Sequence, residues 1–243
     1  MKRNGPAIKK VIKETLSLIF ILALLTGFLE LRWPGIFHDA FGIAPDTSSY
    51  DKRYTDTISF GRYEQNGRTG SPEDIEWIVL DTADGKALVI SKYILNYMPF
   101  GETDTDPSWE SSSVRTWLND TFLNEAFTQE ERERIPVTEV SDEMNRGDTD
   151  PVYCTEDRIF LLSSYEALSY FSDNEMRMCP PTKYARRLDP SGSTEAYREW
   201  WLRTPGTQYR CIACVSADGS VDSFGKSRSY PGGGIRPVMW IEL

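Results

Sequence analysis

The feature that most constrains the fold of this chain is the composition of its C-terminal end. Residues 200–206 read WWLRTPG and residues 232–241 read GGGIRPVMWI. Aromatic and β-branched segments separated by glycine-rich turns are typical of strands in a compact sheet. We therefore predict that these two segments form closing strands. This prediction assigns structural roles to Trp200, Trp201, Arg203, Arg236 and Trp240.

The N-terminal end predicts a membrane segment. Five basic residues precede residues 16–29, which carry no charge. As a helix this stretch would rise about 21 Å, less than the roughly 30 Å hydrocarbon core, and the residues after it contain no small-residue cleavage site. We predict a cytoplasmic basic tail at 1–14 and an uncleaved transmembrane signal anchor at 15–33. The alternatives are a cleaved signal peptide and an amphipathic first helix.

The charge distribution predicts the orientation and excludes one class of partner. Residues 1–32 hold six Lys/Arg and two Asp/Glu, and the remainder holds 21 and 35. Because basic flanks stay in the cytoplasm, we expect a single-pass protein of the cell membrane whose C-terminal domain is extracytoplasmic. An ectodomain this acidic repels polyanions, so binding of nucleic acid is disfavoured.

The remaining chain is long enough for one folded domain. We expect a polar juxtamembrane linker at 34–57 and a domain at 58–243. Ala83-Asp84-Gly85 predicts a hairpin turn between two strands. Serines at 111–113, Thr128 with Glu131, and Ser163 with Glu166 predict three helix starts. Two or three helices among many short strands, without regular alternation, indicate an α+β fold.

Several segments resemble a known group of domains. They are Ile75-x-Trp77-x-Val79-Leu80, Val114-Arg115-x-Trp117-Leu118-Asn119, Phe160-Leu161-Leu162-Ser163, Trp200-Trp201-Leu202-Arg203-x-Pro205-Gly206 and Gly234-Ile235-Arg236-Pro237. Together they resemble an uncharacterised bacterial domain family related to C-type-lectin-like and formylglycine-generating-enzyme-like domains. The resemblance implies a small twisted antiparallel sheet, two or three helices and long loops that carry binding, with Trp117 in a structural role. Fold alone does not imply function.

The inventory of reactive side chains excludes common catalytic centres from the predicted domain. His38 is the only histidine and precedes the domain. A Ser-His-Asp or Cys-His arrangement within residues 58–243 is therefore excluded, as are histidine-based zinc and copper sites. Paired carboxylates for glycoside hydrolysis have no sequence signature. We accordingly assign no catalytic residue.

The cysteines and the acidic loop leave alternatives open. Cys154, Cys179, Cys211 and Cys214 form an even set, which outside the cytoplasm favours disulfides of undetermined connectivity. Zinc binding, and the cysteine chemistry implied by the formylglycine-generating resemblance, are less favoured readings. Asp104 and Asp106 are weak candidates for calcium ligands. Otherwise we predict no cofactor.

The segment between the closing strands is the best candidate for a ligand surface. It combines aromatic, basic and small polar side chains, as binding loops do. The candidate ligand-binding residues are Tyr209, Arg210, Phe224, Lys226, Arg228 and Tyr230. We therefore predict a non-enzymatic, membrane-tethered binding module for a protein or glycan. The alternatives are an extracytoplasmic enzyme without a histidine-dependent mechanism and a structural component of the cell envelope.

Overall fold

The computed structural model describes residues 48–67, 70–101, 108–141 and 154–243. No helix within these ranges is long and apolar enough to cross a membrane. The predicted basic tail at 1–14, the signal anchor at 15–33, and the calcium candidates Asp104 and Asp106 lie outside the described residues.

The described elements mix short helices with many strands. The strands are β1 (Thr57–Tyr63), β2 (Glu73–Ala83), β3 (Lys86–Ser91), β4 (Asn96–Tyr97), β5 (Thr138–Ser141), β6 (Cys154–Asp157), β7 (Trp200–Pro205), β8 (Cys211–Val215), β9 (Val221–Ser227), β10 (Gly234–Ile235) and β11 (Val238–Glu242). The helices are α1 (Ser48–Asp51), α2 (Ser113–Trp117), α3 (Leu123–Ala126), α4 (Gln129–Glu133), α5 (Ser164–Tyr170), α6 (Asn174–Arg177) and α7 (Lys183–Leu188), and a π-helical turn (Leu118–Phe122) joins α2 to α3. The predicted α+β class is confirmed.

The strands form two main sheets and one separate hairpin. The first sheet has the order β1-β2-β3-β11, and the second has the order β4-β10-β7-β8-β9. Strands β5 and β6 pair with each other. Pairing is antiparallel throughout except between β10 and β7. The expected single small sheet is therefore replaced by two larger ones.

Local sequence signals explain the predicted turn and helix starts. Asp84 and Gly85 both have positive φ, 51° and 76°, which is the backbone of the tight turn that matches the twist of a hairpin. Thr128 and Ser163 each form a complete capping box, and the Ser112 side chain accepts a hydrogen bond from the amide of Arg115. The predicted hairpin and all three predicted helices are present.

The core lies around the closing strands. Trp200 and Trp201 are completely buried, and their indole N–H groups donate to the carbonyls of Arg177 at 3.1 Å and Met98 at 3.0 Å. β7 lies inside the second sheet between β10 and β8, and its first four residues, Arg203 included, are all buried. The expected burial of these two tryptophans is confirmed.

Two arginines in the core bind backbone and ring groups. Arg203 donates to the carbonyls of Ser141 and Leu161 and forms a two-pronged ion pair with Glu166. Fully buried Arg236 donates to the carbonyl of Ser91 at 2.8 Å. Both arginines therefore have the structural role predicted for them. Trp117 and Trp240, by contrast, are only partly buried.

The predicted linker at 34–57 is too long, because the folded unit begins at Thr47. Tyr50 in α1 is completely buried, and its hydroxyl donates to the carbonyl of Lys92. The Tyr50 ring packs against three tyrosines, Tyr54, Tyr93 and Tyr197, at centroid distances of 5.5–6.1 Å. The sequence analysis missed the burial of Tyr50 because the segment is polar, and a single aromatic side chain forms no periodic pattern.

We predict that Tyr50→Ala lowers the free energy of unfolding by about 3–5 kcal/mol, as truncation of a buried aromatic ring does. The substitution also removes the hydroxyl that donates to the buried carbonyl of Lys92. Chemical denaturation of the full chain measures the change. The matched control is Tyr209→Ala, whose side chain is 81% exposed and should matter little. Equal stability of the two variants would show that α1 is not part of the core.

Candidate functional site

The structure brings the predicted ligand-binding residues together at one end of the β8–β9 hairpin. Cys211 pairs with Ser227, and the amide of Arg228 donates to the carbonyl of Arg210 at 3.1 Å. The amide of Thr207 donates to the carbonyl of Ser223 at 2.8 Å, which ties the loop before β8 to β9. Residues that are twenty positions apart in sequence are thus neighbours in one surface region.

Three of these residues point towards solvent and form what we call the aromatic corner, Tyr209, Arg210 and Phe224. The side chains of Tyr209 and Phe224 are 81% and 71% exposed. Arg210 is partly buried, and its guanidinium carbon lies 5.0 Å from the centre of the Tyr209 ring, within the range of a cation–π contact. The corner therefore presents apolar and cationic surface side by side.

The other three predicted residues contact distant segments; Arg228 is buried, whereas Lys226 and Tyr230 remain partly exposed. Arg228 is only 3% exposed and lies against Gly101, where an added Cβ would come within 2.3 Å of its guanidinium. Tyr230 packs edge-on against Trp201 at a centroid distance of 6.3 Å. Lys226 forms an ion pair of 3.3 Å with Glu199. Their polar character in sequence indicated a surface, but contacts from distant segments cover them wholly or in part.

Glu199 is the residue of this region that the sequence analysis missed. Besides its ion pair with Lys226, it influences the phenol of Tyr230. Partial burial, followed by the hydrogen bond to Glu199, raises the pKa of Tyr230 to about 12. Its position directly before Trp200 and Trp201 was the available signal, since a charge at the start of a buried strand needs a partner.

A bulge in β9 fixes the direction of Phe224. Gly225 has φ of 81°, and a Cβ on it would lie 2.2 Å from the carbonyl oxygen of Ile212, so only glycine fits here. The carboxylate of Asp222 accepts hydrogen bonds from the amides of Phe224 and Gly225. Although β9 is the edge of its sheet, these two amides are therefore already occupied, and the bulge opposes pairing with another strand. Any ligand of this region would therefore contact side chains rather than pair with the strand backbone.

The metal readings receive no support from the described ranges. No group of three or more His, Cys, Asp or Glu side chains in them is placed to hold a metal ion. Asn119, which superficially resembles part of a calcium-dependent lectin motif, instead accepts hydrogen bonds from the amides of Arg158 and Ile159 at 2.9 and 3.1 Å. Its role is to hold a turn.

The four cysteines are free thiols in the structure, so the predicted disulfides are not formed in it. Cys154 is exposed, whereas Cys179, Cys211 and Cys214 are buried. Cys179 contacts the carbonyl of Lys92 and the hydroxyl of Tyr50. Burial raises the pKa of Cys179, and burial together with nearby carboxylates raises that of Cys214 to about 12. An even number of cysteines was only a compositional signal, and even Cys211 and Cys214, which share β8, are not bonded to each other.

We predict that a thiol reagent labels Cys154 alone in the native protein at neutral pH. The thiolate is the reactive form, and burial with a raised pKa suppresses it at Cys179 and Cys214. Denaturation without a reductant should then expose all four thiols for labelling, counted by mass spectrometry. Fewer than four thiols in the denatured, unreduced protein would reveal a disulfide and contradict the structure. Cys154→Ser is the control for the native signal.

These observations define an α+β domain with an exposed aromatic and cationic corner at the edge of its second sheet. The chain belongs to the family described as domain of unknown function DUF6273, whose model matches residues 84–243. No curated protein and no solved structure matches the chain. The aromatic corner lies within the matched residues, whereas α1, β1 and all of β2 precede them.

Proposed function

We propose that this protein is a non-enzymatic, extracytoplasmic binding module tethered to the cell membrane by residues 15–33, and that its aromatic corner contacts the ligand. The observation that carries the proposal is the exposure of Tyr209 and Phe224, at 81% and 71%, on one rigid hairpin. Single exposed apolar residues are ordinary, but two aromatic rings beside an arginine have the composition of binding hot spots. The resemblance to C-type-lectin-like domains agrees with binding by loops.

Energetics favour the corner as a contact surface. Burying a phenylalanine-sized side chain contributes about 1.5–3 kcal/mol. The corner is also preorganised, because the bulge at Gly225 and the hydrogen bond from Thr207 to Ser223 hold its backbone. A preorganised surface loses less entropy on association, so more of the burial energy becomes affinity.

We propose a protein ligand for this corner, with a glycan as the competing outcome of the test. Sites for small molecules are usually concave, whereas Tyr209 and Phe224 project outward. Arg210 gives the corner positive charge on an ectodomain that is otherwise acidic, so an acidic patch on the partner suits it.

Two contacts hold the N-terminal end of the described fold. Tyr50 is completely buried, and Arg53 forms an ion pair of 3.0 Å with Glu175. The proposed anchor at 15–33 would present this domain to partners in the cell envelope.

We predict that replacing both Tyr209 and Phe224 by serine lowers binding to cell-envelope fragments at least about tenfold, because aromatic anchors dominate interface energy. Immobilised fragments from the source organism are probed with the full chain in lipid nanodiscs. The melting temperature should stay nearly unchanged, since both side chains are exposed. Leu243→Ser is the matched control, because Leu243 is 72% exposed and lies at the β2–β3 turn, where its amide donates to the carbonyl of Gly85.

The same assay separates the ligand classes. Protease treatment of the fragments should abolish binding, and periodate oxidation of their sugars should leave it intact. The reverse pattern would identify a glycan ligand. Undiminished binding by the double variant would refute the aromatic corner as the contact surface.

The proposed membrane anchor at 15–33 leads to a separate prediction. The full chain should remain in the membrane pellet after alkaline carbonate extraction, and protease added to intact cells should remove its domain, because the basic flank stays inside. Replacing the five basic residues before residue 16 by acidic ones should disturb this orientation. A soluble mature form that begins beyond the apolar segment would contradict the anchor.

A further inference from the structure

A groove on the outer side of the first sheet is separate from the aromatic corner. It consists of two hollows of about 230 Å³ and about 150 Å³. Trp240 and Thr138 line both hollows, so the indole of Trp240 stands at their junction. One hollow extends to the β2–β3 turn and the other to Tyr170 and Arg203.

The strand geometry explains why Trp240 faces this groove. Met239 and Ile241 are buried in β11, and side chains on a strand alternate between its two faces. Trp240 therefore points to the opposite face from these two residues, where it is partly buried against core side chains. It pairs with Leu88 on β3, which forms part of the groove floor.

Trp240 differs from the buried tryptophans in how its indole is used. The N–H groups of Trp77, Trp109, Trp200 and Trp201 all donate to protein acceptors, at 2.7–3.1 Å. Within the described ranges, no protein acceptor takes the N–H of Trp240, and no ring or cation lies over its face. An indole that packs one part against the core and keeps its N–H without a protein acceptor, in the wall of a groove, is arranged to meet a ligand.

The groove rim is polar and carries more acceptors than donors. The exposed carboxylates of Asp84 and Glu139 lie on its rim, with Lys86 as a single ammonium beside them. Four of the five N–H groups of Arg203 already bind Ser141, Leu161 and Glu166, which leaves at most one donor for a ligand. The acidic rim thus repels anions, and Leu88, Val137 and Phe160 add apolar lining beside Trp240.

We propose that the groove around Trp240 is a binding site for a neutral glycan, with a sugar ring stacked on the indole and its hydroxyl groups donating to Glu139 or Asp84. A sugar ring has an apolar face that matches the ring and vicinal hydroxyls that a carboxylate accepts as a pair. A proline-rich peptide would also stack on tryptophan, but it lacks the N–H donors that the carboxylates need. A polyanion is repelled by the same carboxylates.

Fluorine NMR of the full chain tests this site directly. The chain carries fluorotryptophan and is kept in a detergent without a sugar headgroup, and maltotetraose, cellotetraose and chitotetraose are the probes. The Trp240 resonance, assigned by its loss in Trp240→Phe, should shift saturably with at least one of them. The resonances of the buried tryptophans should stay in place.

Two variants make the result specific. Glu139→Ala should weaken binding of the active tetrasaccharide about tenfold, the usual effect of losing a hydrogen bond to a charged group. The matched control is Glu130→Ala, since Glu130 is an exposed carboxylate on α4 and does not line either hollow. The double variant at Tyr209 and Phe224 should bind the sugar normally, which separates this site from the aromatic corner.

Three results would overturn the proposal. They are no movement of the Trp240 resonance with any of the three neutral tetrasaccharides at millimolar concentration, a shift with a proline-rich peptide or oligogalacturonate instead, and equal affinity of Glu139→Ala and the wild type. The melting temperature of each variant shows whether it is folded, so a loss of binding cannot be mistaken for a loss of structure.

Discussion

The structure depends on the placement of one guanidinium group, that of Arg236, at the point where the chain crosses between its two main sheets. β10 belongs to the second sheet and β11 to the first, and Arg236 lies between them. Its guanidinium lies 5.1 Å from the ring centre of Trp200 and 5.3 Å from that of Phe171, and it donates to the carbonyl of Ser91. No carboxylate among the described residues pairs with it. Ring faces and backbone oxygens therefore offset the cost of burying this charge.

Much of the fold could be predicted from local signals. The turn at Asp84-Gly85 and the capping boxes at Thr128 and Ser163 depend on neighbours within a few residues, and each appears as expected. The burial of Arg228 and Tyr50 could not be predicted, because it results from contacts with segments far away in sequence. Trp240 lies between these cases. Alternation with Met239 and Ile241 carried the information that it points to the opposite face from these two residues, although tryptophan as a residue type suggested burial.

The candidate sites follow the same division. The sequence grouped Tyr209, Arg210 and Phe224 because they flank or belong to one hairpin, and their role in binding stays a prediction. It could not separate them from Lys226, Arg228 and Tyr230, whose partners Glu199, Gly101 and Trp201 come from elsewhere. The groove around Trp240 needs β5, β11 and the β2–β3 turn to meet, so no single segment contains its signature. A domain with two such surfaces on different sheets can hold two ligands at once, since neither surface shares a residue with the other.

The burial of Tyr50 has a mechanical consequence for a domain attached, as proposed, at its N-terminal end. Among the described residues Tyr50 is the first completely buried side chain, so a pulling force that enters through α1 acts on it early. Withdrawal of its ring would remove the hydroxyl that lies 3.4 Å from Arg236 and expose the thiol of Cys179 at the same place. Tension on the proposed tether would thereby be coupled to the junction of the two sheets before any strand of the first sheet is peeled away.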